Sequence, residues 1–237
     1  MINIIIILIV IAPVFSFTEK SLANNKLIKT AKMLEARGDV EKAISIYEGI
    51  LSKEPDHRQT IQNLKDIYLK NSMYERGIYF MRLRMAKKPN DIKTYCELGE
   101  FYFLNKQKKD ATLIWYAGLS KFKHNRSFYR TMLSILVKHN LKDELSTVIK
   151  NGRENFGKSF LSYELGTYFQ SVGDYEAAME EYILNLLSEK SYKGIIERKI
   201  LLMSDEEDAI PIIKDKLFKA SKLAPNQILN TLSEFYF

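Results

Sequence analysis

Shifted by thirty-four positions, the chain falls into register with itself. Ala43, Gly77 and Ala111 align, as do Tyr47, Met81 and Trp115, and Leu51, Met85 and Leu119. Pro55 and Pro89 are separated by the same interval, and so are Leu34, Tyr68 and Tyr102. Such a period is the mark of one supersecondary unit used several times, because each unit can bury its oily face only against the next. A tiny residue followed four positions later by a large one describes a single helix face. The tiny residue allows two helix backbones to approach and the large one fills the space beside it. Pro55 and Pro89 end the second helix of a unit, since proline lacks a donor and disfavours helix before it. Arg37-Gly38-Asp39 is the turn inside the pair: Gly38 permits a left-handed cap, and Asp39 is placed to cap the second helix. Few valines and only five prolines agree with helix over sheet.

Ala31, Gly38, Asp39, Ala43, Tyr47 and Pro55 together resemble the tetratricopeptide repeat (TPR) family, as do Leu98-Gly99, Tyr102, Ala111 and Trp115, and later Leu165-Gly166, Gly173-Asp174, Ala178 and Tyr182. The resemblance places units at about 24–57, 58–91, 92–125, 126–158 and 159–191. The fourth is degenerate, with Leu133 and Leu145 where small residues are expected. The fold it implies is all-α: a right-handed α-solenoid of antiparallel helix pairs. Residues 192–237 are expected to form degenerate helices, from Ile195 to Met203, then to about Leu223 behind a Ser204–Asp208 cap and first-turn acids, then from Ile228. The last either folds back as a cap or begins further repeats of a longer protein.

Ahead of the repeats, Ile4 to Ala12 is an unbroken apolar run followed by Pro13 and a small residue, Ser16. It has the length of a signal-peptide core and is short for a membrane span of roughly 20 residues. Residues 1–16 are therefore read as a signal peptide, with an exported, periplasmic or envelope location expected, and a membrane anchor as the alternative if it stays uncleaved. The chain carries a net charge of +7. From Arg82 to Arg126 eleven Lys/Arg face four acids, so this stretch could attract an acidic partner.

Chemistry is sparse. Gly152, Gly157, Lys158 and Ser159 match the spacing of a phosphate-binding loop. Such a loop should follow a buried strand, yet residues 141–151 read as an amphipathic helix. The match is therefore expected to be a joint between units, with Ser159 near a helix cap. The single cysteine, Cys96, can form neither an internal disulfide nor a cysteine zinc site. His57, His124 and His139 lack metal-ligand spacing. Asn125-Arg126-Ser127 matches a weak glycosylation sequon. No enzyme activity, cofactor or metal is expected.

In proteins of the resembled family the first helices line a concave groove that binds a peptide or helix of another protein. Carried onto this sequence, the groove-facing positions are Gln62, Asp66 and Lys70, then Lys93, Cys96, Glu100 and Phe103, then Arg130, Ser134 and Lys138, then Tyr163 and Thr167. Ile28, Lys32 and Glu97 stand where the family's chaperone-tail clamp has Lys, Asn and Arg, so that subtype is not expected. The implied function is a non-enzymatic interaction scaffold of the cell envelope. Two alternatives stay open: a binding module of a longer protein whose activity lies downstream, and a basic surface for nucleic acid or anionic polymer.

Overall fold

The computed structural model describes residues 22–188 and 192–236. The expected signal peptide lies outside the described residues. Among those residues every regular element is an α-helix and no strand occurs. Helix α1 covers 22–36. It is followed by α2 (Val40–Lys53), α3 (Arg58–Lys70), α4 (Tyr74–Lys87), α5 (Ile92–Leu104), α6 (Lys108–Lys121) and α7 (Arg126–Lys138). Then come α8 (Lys142–Phe156), α9 (Ser162–Ser171), α10 (Tyr175–Leu186), α11 (Lys193–Met203), α12 (Ala209–Leu223) and α13 (Pro225–Tyr236). No described helix is long and apolar enough to cross a membrane. The chain divides into two compact units. The first holds the described residues up to Lys87 with Phe101–Gln107, and the second holds Lys88–Glu100 and the residues from Lys108 onward.

The turn inside each helix pair is where the period is written most plainly. Gly38, Ser72, Lys106, Asn140 and Gly173 all have positive φ, between 52° and 85°. The first four recur at the full period, and the last falls one position short of it. Each closes the same pair of hydrogen bonds. The amide one residue further on reaches back to a carbonyl five positions earlier: Asp39 to Leu34, Met73 to Tyr68, Gln107 to Tyr102, Leu141 to Leu136 and Asp174 to Phe169. The amide of the left-handed residue itself donates to a carbonyl three positions earlier. This double bond pattern satisfies the orphan carbonyls of a helix end and turns the chain sharply. Three of the five turns do it without glycine, at about 1–2 kcal/mol each. The turn survives in the fourth pair, where the helix positions depart from the pattern.

Small residues face large ones as the pattern demands. A Cβ on Gly99 would come within 2.1 Å of the Trp115 ring, and one on Gly166 within 2.5 Å of Tyr182. Both contacts span sixteen positions, the interval that also separates the fully buried Ala31 and Tyr47. Trp115 donates its indole N–H to the Cys96 carbonyl at 3.1 Å. Tyr47 donates to Glu35, and Tyr182 donates to Gln170 at 2.6 Å, again at equivalent places. In the fourth pair Leu133 and Leu145 are buried, and close approach moves to Gly152, where an added Cβ would come within 2.9 Å of the Phe160 ring. At Gly118, one period earlier, an added Cβ would likewise come within 2.7 Å of Phe128.

Two capping expectations need correction. Asp39 precedes α2 but makes no side-chain cap bond; its carboxylate meets Lys42 at 3.5 Å instead. The acids after Ser204 do not form a first helical turn: α12 begins at Ala209, its first turn holds no acid, and Asp208 makes no cap bond. Other side chains do cap. His57 accepts from the Thr60 amide, Asp91 from Lys93, Asn125 from Phe128 and Asp174 from Ala177.

Candidate functional site

The phosphate-loop match dissolves in the structure. Helix α8 runs to Phe156, further than the expected 151, so Gly152 is buried inside it. Gly157 ends that helix with φ 101°. Lys158 is exposed, and Ser159 is not a cap: the residue before α9 is Leu161, with φ 68° and no side-chain cap bond. With a helix where a strand is required, backbone amides cannot form the phosphate cradle. The segment is a joint.

The expected groove positions divide sharply by burial. In the first unit Gln62, Asp66 and Lys70 are exposed on α3, and Gln62 donates to Asp66 at 2.8 Å. Phe103 is half-buried. In the second unit Lys93, Arg130, Ser134 and Lys138 are exposed, and Tyr163 and Thr167 are half-buried. Cys96 must be withdrawn: it is wholly buried. Burial also pushes its thiol well above the ordinary range, which leaves it unreactive. Glu100 is likewise buried, at 4% exposure. It binds Lys138 at 2.9 Å and His139 at 2.8 Å, so it is a structural anchor between α5 and the end of α7. A buried carboxylate needs such partners.

One pair links consecutive first helices. Arg130 of α7 reaches Glu164 of α9 at 2.6 Å, and these positions are one full period apart. Beside it opens a cavity of about 340 Å³ lined by α7, the α8–α9 joint, α9 and the end of α10. Its floor is aromatic. Phe156 and Phe160 lie 4.6 Å apart; Arg126 stacks over them at 4.7 and 5.2 Å, and Arg130 lies 5.8 Å from Phe160. Tyr163 meets Tyr192 at 5.6 Å on one wall. The first unit has a different cleft, about 550 Å³ between α2, α3 and α4, where Tyr79 and Leu83 remain exposed. No group of three or more His, Cys, Asp or Glu among the described residues could hold a metal.

A helix pair closed by one turn in every period, with small-against-large packing at intervals of sixteen, is the geometry the resemblance implied. Human tetratricopeptide repeat protein 21B is similar: 23% identical over 156 residues, 64% of this chain. In its sequence and its helix pairs the chain resembles the tetratricopeptide repeat family. It spans only 12% of that relative's length. No family profile matches it. Among solved structures, a tetratricopeptide repeat protein from Parabacteroides merdae has a TM-score of 0.41 and 11% identity, covering 90% of this chain and 99% of that one. The Cut9–Hcn1 hetero-tetramer of the APC/C has a TM-score of 0.43 and 12% identity, covering 92% of this chain and 46% of that one.

Reading the TPR register onto the second unit exposes residues that the small-residue pattern alone missed. Phe122 and Phe156 are one period apart, and so are Tyr95, Tyr129 and Tyr163. Their rings form a continuous series: Tyr95 to Phe122, Phe122 to Phe128, Phe128 to Tyr129, and Tyr129 to Phe156 and Phe160, at 5.2 to 6.0 Å. The aromatic floor of the cavity is the end of that series. Its signal in the sequence is the periodic spacing of these aromatics, which can be counted without a structure.

Proposed function

We propose that this chain is a non-enzymatic scaffold of the cell envelope that holds a peptide or helix of another protein along its first helices. The repeat fold is that of a protein–protein interaction scaffold. A fold alone does not name a function, so the reading rests on the surface of α7 and α9. The supporting observation is the polar row Arg130, Ser134 and Lys138 on α7, with Glu164 and Tyr163 beside it on α9. Mixed charge, hydroxyl and ring are what peptide recognition uses: hydrogen bonds for register and packed aromatics for affinity. The envelope location follows from the apolar run Ile4–Ala12 before Pro13 and Ser16.

The test is capture of partners from the envelope fraction by wild type and by an Arg130→Glu, Ser134→Glu double variant. The reading expects a defined set of proteins to be lost with the variant while the variant keeps the wild-type helical content by circular dichroism. Identical capture by both would refute use of this face. Detection of the full, uncleaved chain only in the cytoplasm would refute the location.

A further inference from the structure

Resting on that reading, we infer that the cavity at the α8–α9 joint is a pocket for an acidic side chain of the bound peptide, with Arg126 as its recognition residue. The guanidinium of Arg126 lies over Phe156 and Phe160. The two rings hold its cationic centre by cation–π contact, and a guanidinium held in this way can offer its fork of N–H groups to a carboxylate bidentately. Arg130 lies beside the same floor but is neutralised by Glu164 at 2.6 Å. Among the described lining residues this leaves one uncompensated positive charge, that of Arg126. One excess charge matches a singly charged carboxylate better than a dianionic phosphate.

The wall opposite is held in place. Asn185 is buried, with 4% exposure. Its oxygen accepts the Tyr192 amide at 3.1 Å and its nitrogen donates to Ser162 at 3.4 Å. That anchors Tyr192 against Tyr163, whose half-buried ring lines the cavity. The two rings supply an apolar wall for the side chain's methylenes. A cavity of about 340 Å³ has ample room for one side chain of a longer peptide.

The experiment is an array of mixed-sequence nine-residue peptides whose central residue is glutamate, glutamine or phosphoserine. It is probed with the full chain, with Arg126→Gln and with Tyr163→Phe. Wild type is expected to prefer glutamate over glutamine by about tenfold, the size of one charge-assisted bond. It should not prefer phosphoserine over glutamate. Arg126→Gln should bring glutamate and glutamine within about twofold while overall peptide binding persists. Arg126 is exposed, so its loss should leave the melting curve in place. Tyr163→Phe should keep the preference. A wild type that binds all three series equally, or an Arg126→Gln variant that keeps the glutamate preference, overturns the pocket and leaves the scaffold standing. A stronger response to phosphoserine, abolished in Arg126→Gln, overturns the carboxylate assignment. Absence of any peptide binding by wild type overturns both.

Discussion

Gly99→Ala tests the packing rule at its tightest point. The added Cβ would lie 2.1 Å from Nε1 and 2.5 Å from Cδ1 of Trp115. The indole is 2% exposed and donates to the Cys96 carbonyl, so it cannot swing away without breaking that bond. Overpacking of this kind costs about 1–3 kcal/mol, and the lost hydrogen bond about 1 kcal/mol. Alanine's helix propensity returns about 1 kcal/mol. The net is a destabilisation of about 1–3 kcal/mol, or roughly 4–8 °C in Tm at its midpoint. The control is Gly49→Ala in α2, where nothing stands within 4 Å of the new Cβ; it should stabilise by about 1 kcal/mol. Urea unfolding followed by Trp115 fluorescence reads the first directly, since the chain has one tryptophan; circular dichroism reads the second. A Gly99→Ala protein with a wild-type midpoint and unchanged emission would refute the close packing.

Other outcomes follow from the same geometry. Lys106→Gly should stabilise by about 0.5–1 kcal/mol by relieving a left-handed residue, and Gly173→Ala should cost about 1–2 kcal/mol, both by thermal melting. The Cys96 thiol should resist a thiol-specific dye in the native protein and react fully in denaturant; fast native labelling would contradict its burial. Burial pushes both Tyr68 and Tyr182 up to about 12 from an ordinary 10.0. Their neutral forms are thus favoured by folding: the contribution is fully present below pH 10 and is lost as pH rises from 10 toward 12. Denaturant midpoints flat from pH 9 to about 12 would refute this. Purified protein and its Lys158→Ala variant should show the same background nucleotide hydrolysis.

The helix pairs were legible because packing imposes them directly on residue size and spacing. Ala43, Gly77 and Ala111 announce close approach, and Pro55 and Pro89 announce helix ends. The turns were only partly legible. Gly38, Asn140 and Gly173 suit a left-handed residue, but Ser72 and Lys106 are held there by the hydrogen bonds of the helix end, a demand that propensity does not carry. Groove positions fared worse because helix phase alone does not tell an outward side chain from one turned toward a neighbouring helix. Cys96 and Glu100 were expected to face the groove, yet both are buried, and Glu100 is held by Lys138 and His139. The pocket escaped notice because its parts, Arg126, Phe160 and Tyr192, come from separate elements and gain meaning only when juxtaposed.

Hydrogen exchange across the full chain, with and without a peptide selected for binding, tests the central claim most directly. Protection concentrated in Arg126–Lys138 and Ser162–Ser171, with α6 unchanged, is the predicted result. Protection confined to α6, α8 and α10, leaving α7 and α9 as they were, would contradict it.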